Sequence, residues 1–404
     1  MTTPSSTSSD SGPDFDSGST AEGSPEATSA SESSVPLRSI LELSRNRLTS
    51  TMLKLGEKKF RADQLWRSIY HEAAASFDEM STLSKTFRAS LSEKYTISSV
   101  EQAMFVTSKD KSTSKALYKL HDGELIETVL MRYETDGHRR NRKTACISTQ
   151  AGCALGCTFC ATGQQGFRRN LTVGEIVAQV IEMQRIAYAE DEAQMEQGKR
   201  TKGELQGVKN VVFMGMGEPL ANYKNVMAAI RVLNDGQGLN IGARHITVST
   251  VGLIPQILQL AEEELQINLA ISLHAPDNNT RSQTMPINQR YPVEDLIRAC
   301  HKYANATGRR IFFEYVLLKE QNDSVEQAQK LGRLLNGLHC HVNLIPVNPT
   351  KMGPFERTDL NSAKEFQGGL KQYGIPSTVR MEKGIDINAG CGQLRERAID
   401  ILGA

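Results

Sequence analysis

Between residues 143 and 382, short runs rich in β-branched and aromatic side chains alternate six times with longer segments of helical periodicity. The runs read TACIST, NVVFMGM, HITVST, NLAISLH, IFFEYVLL and HVNLIPV; helices are expected near residues 173 to 189, 224 to 234, 254 to 264, 293 to 306, 324 to 336 and 361 to 373. Strands that alternate with helices pair in parallel through right-handed crossovers. No glycine-rich dinucleotide fingerprint follows the first strand, which turns the expectation from a Rossmann sheet to an α/β fold of another kind, a partial (β/α)6 TIM-like barrel. In such a barrel the chemistry sits at the C-terminal ends of the strands.

The rest of the chain divides by composition. Residues 1–36 hold twelve serines, six acids (Asp10, Asp14, Asp16, Glu22, Glu26 and Glu32) and no Lys or Arg, so burial cannot offset ordering entropy and a disordered Ser-rich acidic tail is expected. Residues 37–96 have helical spacing broken at Gly56 and many cations, among them Arg45, Arg47, Lys54, Lys58, Lys59, Arg61 and Arg67. They read as a small helical accessory domain whose basic surface is either an RNA contact or a solvated helix face, with equal weight. Residues 97–142 form a β-rich connecting segment, with alternation in KALYKL and LIETVLMRY, and residues 383–404 a C-terminal segment.

Net charge is +1, but without the tail 47 cations face 40 acids, a balance of +7 that weakly suggests a polyanionic partner. No apolar run approaches the roughly 18 residues of a membrane span. With no basic-then-apolar signal segment, the seven cysteines are expected to be reduced thiols in a cytoplasmic protein.

Three of them carry the strongest signal. Cys153, Cys157 and Cys160 follow the first barrel strand at spacings of four and three, flanked by Gly152 and Gly156. Structural zinc would favour four ligands in CxxC pairs, and inert buried cysteines would have this spacing by accident. Three thiolates instead suit a 4Fe-4S cluster with one iron left open. That iron can chelate the amino and carboxylate groups of a methionine moiety and bring its sulfonium beside a low-potential electron source, so that one-electron cleavage yields a 5'-deoxyadenosyl radical.

The surrounding motifs, ISTQAGCALGCTFCATGQQGFRRNLTVGEI, MGMGEPLANYKNV, TVSTVGLIP, ISLHAPDNNTR, NLIPVNP and DINAGCGQL, resemble those of the RlmN/Cfr family of radical S-adenosylmethionine rRNA adenine methyltransferases, from about Phe60 to Leu394. The resemblance implies a radical S-adenosylmethionine barrel in which Gly217 and Glu218 hold the cofactor's amine, with Ser249, Ser272, Leu273, His274 and Asn348 as further cofactor contacts. It implies that Cys391 is methylated, that Cys146 is its disulfide-forming partner, and that Glu127 removes a proton. Taken alone, Cys146 reads as a small buried hydrophobe and Glu127 equally well as an exposed strand glutamate in a cross-strand ion pair.

Two molecules of S-adenosylmethionine per turnover, a flavodoxin or ferredoxin type of electron donor, 23S rRNA and tRNA as substrates, no membrane and a monomeric state complete what the resemblance implies. The expected reaction is methylation at C2 of adenine, in the peptidyl-transferase centre of the rRNA and in the anticodon loop of tRNA. Methylation at C8 of the same rRNA adenine, and a non-catalytic iron-sulfur RNA-binding protein, stand as alternatives. The basic run HRRNRK at 138 to 143, in a connection longer than the family's usual one, is a candidate backbone contact or a solvated loop. Gly390 replaces the alanine common before the methylated cysteine.

Overall fold

The computed structural model describes residues 37–133, 141–197, 205–348, 354–380 and 383–394. The tail expected over residues 1–36 and the first half of the HRRNRK run lie outside them. Three helices come first: α1 (Arg45–Lys54), α2 (Phe60–Tyr70) and α3 (Lys85–Ser92). The hydroxyls of Ser44 and Ser84 accept the N–H groups of Arg47 and Phe87, donors that no helical carbonyl can reach. Leu65, Trp66, Ile69 and Tyr70 of α2 are buried in a core continuous with that of the barrel. The Arg185 guanidinium fastens the two parts by donating to the carbonyls of Ala73 and Ala74.

Ten strands form one sheet: β1 (Glu101–Thr107), β2 (Thr113–Lys119), β3 (Leu125–Tyr133), β4 (Arg142–Cys146), β5 (Asn210–Phe213), β6 (Ile246–Thr250), β7 (Asn268–Ser272), β8 (Ile311–Leu317), β9 (Cys340–Pro346) and β10 (Ser377–Val379). Each pairs with its sequence neighbours, so spatial order is chain order. β1 to β4 are joined antiparallel, and β4 to β10 run parallel. Helices occupy the crossovers: α4 (Val173–Glu196), α5 (Tyr223–Asn234), α6 (Ile254–Ala261), α7 (Asn278–Thr284) with α8 (Val293–Thr307), α9 (Val325–Leu334) and α10 (Leu360–Lys371). The six expected βα units are present; β10 adds a seventh parallel strand of only three residues. A capping box starts α4, with the Thr172 hydroxyl accepting the Glu175 N–H and the Glu175 carboxylate accepting the Thr172 N–H.

Side chains alternate along each strand. Val211, Phe213, Ile246, Val248, Leu269, Ile271, Ile311 and Phe313 are buried in the apolar core, each contributing about 1.5–3 kcal/mol. The other face is mixed: Arg142, Thr144 and Cys146 on β4, Val212 on β5, Thr247 and Ser249 on β6, Phe312 and Glu314 on β8 and His341, Asn343 and Ile345 on β9 line the cavities. A TIM barrel fills its interior with branched apolar side chains, whereas this one encloses space. No helix among the described residues is long and apolar enough to cross a membrane.

Candidate active site

After β4 the chain forms a small antiparallel hairpin, Gln150–Gly152 against Phe167–Asn170, which holds the two ends of the cysteine loop. Gly152 has φ +74°, and a Cβ there would fall 2.0 Å from the Gly166 carbonyl oxygen. That same oxygen accepts the Cys153 N–H at 2.9 Å, so a side chain at 152 would break the loop's closure. Cys157 is buried, Cys153 and Cys160 half-buried. Burial raises all three thiols, Cys153 to about 11, and the Cys160 sulfur raises both others further. Thiols this reluctant to ionise become thiolates when soft metal takes the place of the proton. Three cysteine sulfurs on one short loop supply the thiolate donors that an iron-sulfur cluster takes, with one iron left without a protein ligand. The residues therefore fit a 4Fe-4S cluster.

Beside this loop is a cavity of about 160 Å³ lined by Gly217, Glu218, Ser249, Ser272, His274 and Asn348, together with Cys160 and Cys391. Leu273, the seventh residue of the expected cofactor set, is fully buried behind it and donates its N–H to the Glu314 carbonyl at 3.1 Å. Glu218 is buried; its two carboxylate oxygens accept the N–H groups of Leu220 and Val251, each at 2.9 Å. Desolvation nonetheless pushes its pKa up to about 7. His274, at φ +58°, accepts the Val316 N–H on Nδ1 at 3.0 Å and meets the Phe159 ring edge-on at 4.9 Å. Burial pushes its pKa down to about 3, so the ring is neutral.

Sequence reasoning assigned no role to Arg281, which stands in the quoted motif ISLHAPDNNTR. It is fully buried, and its guanidinium donates to the carbonyls of Leu273 (3.1 Å), Ser272 (3.3 Å), Val251 (2.5 Å) and Tyr291 (3.3 Å) and to the Asn288 side chain (3.1 Å). Arg281 thus clamps the chain where it leaves β6 and β7, next to Ser249, Ser272 and His274.

The C-terminal segment is stitched to the antiparallel strands. The Asp386 carboxylate accepts the Lys109 N–H at 2.9 Å, and Lys115 and Lys383 donate from Nζ to the carbonyls of Asn388 (3.1 Å) and Arg132 (2.9 Å). The segment then crosses to the cysteine loop: the Ala161 N–H donates to the Gly392 carbonyl at 2.8 Å, and the Thr162 hydroxyl to that of Leu394 at 3.2 Å. Asn348 donates from Nδ2 to the Cys391 carbonyl at 3.4 Å. Cys391, far away in sequence, is thereby held between the cluster loop and the cofactor cavity, and it is exposed. A second cavity of about 530 Å³ has Cys391, Cys146 and Cys160 in its lining. The Cys146 thiol is pushed up to about 12, mainly by burial and further by Cys391.

Glu127 lines neither cavity. It is fully buried and lies 2.9 Å from Lys115 Nζ. The pairing is a diagonal cross-strand one, as the bland sequence reading has it, but buried where that reading expects exposure. Lys115 joins Glu127 to the loop of Cys391, because its Nζ also reaches the Asn388 carbonyl.

Three cysteines on one loop beside a small cavity with a buried carboxylate, at the strand ends of a partial barrel, define the radical S-adenosylmethionine class, and the model of the Radical SAM superfamily matches residues 147–331. A second family model, the ribosomal RNA large subunit methyltransferase N-terminal domain, matches residues 39–97. The chain is 45% identical over 359 residues to the "Probable dual-specificity RNA methyltransferase RlmN" of Bacillus licheniformis, covering 89% of this chain and 94% of that one. It is 46% identical over 342 residues to the protein of the same name from Bacillus subtilis, covering 85% and 88%. The crystal structure of a radical SAM methyltransferase from Sphaerobacter thermophilus superposes with a TM-score of 0.81 at 44% identity, covering 89% of this chain and 99% of that one. The chain belongs to the RlmN family of radical S-adenosylmethionine methyltransferases. Membership implies a 4Fe-4S cluster and S-adenosylmethionine as cofactors.

Proposed function

We propose that the chain methylates C2 of adenine in 23S rRNA and in tRNA, with Cys391 as the methyl carrier. The observation that supports this best is the position of Cys391, tied through its neighbours to the cluster loop and to Asn348 while it faces both cavities. The relatives' printed names, which call them dual-specificity RNA methyltransferases, support RNA of two kinds as the substrate.

Adenine C2 is not nucleophilic, so direct displacement on a sulfonium methyl fails there. When bound, the cluster and two molecules of S-adenosylmethionine supply a methyl group by displacement and a 5'-deoxyadenosyl radical by one-electron cleavage. Cys391 accepts the methyl group on sulfur, gives up a hydrogen atom from it to the 5'-deoxyadenosyl radical, and adds through that carbon to the base. The ring proton is assigned to Glu127, which lies outside both cavities and reaches the Cys391 loop through its counter-ion Lys115, and the adduct's surplus electron would return to the oxidised cluster. Cys146 then attacks the Cys391 sulfur, leaving a disulfide, while the released methylene carbon takes a proton to become the methyl group; an external dithiol reduces the disulfide before the next turnover. Gly217 and Glu218 hold the cofactor's amine, with Ser249, Ser272, Leu273, His274 and Asn348 shaping the rest of that site. A flavodoxin or ferredoxin type of donor provides the electron.

Anaerobic reconstitution with iron and sulfide, reduction, and incubation with 23S rRNA or tRNA and methyl-labelled cofactor test the reading. Mass spectrometry of the digested RNA is expected to find 2-methyladenine; an 8-methyl product overturns the position, and absence of labelled RNA overturns the activity. A second measurement concerns Glu218. Its carboxyl must be ionised to oppose an ammonium group, and burial places its titration at about 7. Cofactor binding to the reconstituted protein should therefore weaken by up to roughly tenfold per unit as pH falls below that point. Equilibrium binding that is flat between about pH 6 and 8 removes Glu218 from this role.

A further inference from the structure

The larger cavity runs through the barrel. From Cys146, Asn348 and Cys391 at the C-terminal strand ends, its lining continues to Arg142, Asn210 and Asn268 at the strand starts. That second end is cationic. Arg142, Arg244, His245 and His341 stand at or just before the starts of β4, β6 and β9, Lys383 reaches the same end over Tyr133, Arg380 lines the cavity from just past β10, and among the described lining residues Glu314, midway along β8, is the only carboxylate. Aromatic rings stand among the cations. The Tyr133 ring carries the Arg142 guanidinium 4.5 Å from its centroid and the Lys383 ammonium at 5.0 Å. Phe312 has Arg310 at 5.8 Å and His341 at 6.0 Å.

Cations alternating with aromatic faces are how proteins hold single-stranded nucleic acid, the charges tracking phosphates and the rings stacking bases. Between the two ends the lining is mixed, Thr144 and Thr247 standing among Val129, Val212, Met214 and Ile345, apolar surface against which a base can pack. Arg142 and Cys146 are four residues apart on β4, about 13 Å at strand rise, a depth that an extruded nucleotide can span. On the accessory helices three of the seven cations are already matched by carboxylates, Arg45 by Asp63 and Asp235, Arg61 by Glu57 and Arg67 by Glu72.

We propose that single-stranded RNA docks on the mouth at the N-terminal ends of the barrel strands and feeds one unstacked nucleotide up the lumen, so that RNA and cluster loop occupy opposite ends of the barrel. This rests on the RNA methyltransferase reading above and adds the surface and the direction of approach.

The test is equilibrium binding of the full chain to an RNA hairpin with adenines in its loop, over a range of salt. Arg142→Glu and Arg244→Glu should each weaken binding at least tenfold at low salt and reduce the slope of log affinity against log salt by about one. Lys59→Glu, on the accessory helices, should change it less than about threefold. Melting temperature and reconstituted iron content of each variant report whether the fold is kept. Binding unaffected by both mouth variants, or lost in Lys59→Glu alone, overturns the surface but leaves the activity standing. Failure of the unaltered protein to bind the hairpin, or to methylate RNA, overturns both.

Discussion

Cys391→Ala is expected to abolish methyl transfer to RNA, a loss on the order of 10⁴-fold or more, as when a covalent nucleophile is removed from other enzymes. The substitution should not disturb the fold. Cys391 is exposed, and the bonds that hold its loop are made by backbone carbonyls that alanine retains. Melting temperature and iron content should therefore match the unaltered protein. Because displacement on a sulfonium cannot reach an aromatic C2, no neighbouring residue offers a route around the carrier. Labelled-methyl transfer under single-turnover conditions is the measurement; transfer within tenfold of the unaltered protein sinks the role of Cys391. The same variant separates catalysis from mere binding, since an RNA-binding protein with a structural cluster would behave identically with alanine at 391.

How much of this was legible beforehand follows from the range of the signals involved. The βα repeat is local: each strand and helix declares itself by its own period, and helices expected near 224 to 234 and 293 to 306 occur at Tyr223–Asn234 and Val293–Thr307. The three-residue strand β10 is too short to show a period, and α7, seven polar residues from Asn278 to Thr284, has no apolar stripe. The cysteine spacing is equally local. Six of the seven residues carried over as cofactor contacts line one cavity, and each lies at or just past a strand end. What no local pattern encodes is the meeting of distant segments. Lys115 stands in KALYKL as an ordinary alternating lysine, yet it links Glu127 to Asn388 across the fold. Arg281 offered one clue, an arginine among small polar residues in the short helix α7, but its five acceptors come from three separate stretches of chain. The cationic mouth is assembled from β4, β9, the residues just before β6 and those after β10, and only a three-dimensional arrangement can collect it.

Cys146→Ala should produce the second large effect, of a different kind: the reaction starts and then stalls. With the methylene carbon bridging Cys391 and the base, release requires a thiol within reach of the Cys391 sulfur, and Cys146 is the other cysteine outside the cluster loop that lines the same cavity. A covalent protein–RNA adduct should therefore accumulate to near one per protein, visible as an RNase-sensitive band of lower mobility under denaturing conditions, with free product reduced on the order of 10³-fold. Thiolate exchange also fixes a pH dependence. Burial holds the Cys146 thiol up at about 12, so its reactive form is scarce at neutral pH and grows as pH rises. In the unaltered protein, decay of the adduct followed by rapid quenching should accelerate between about pH 7 and 9, up to roughly tenfold per unit. In Cys146→Ala the adduct should persist across that range unless an external thiol is added. Normal product release from the alanine variant would remove Cys146 from the reaction. A decay rate independent of pH would place the slow step elsewhere, before the sulfur exchange.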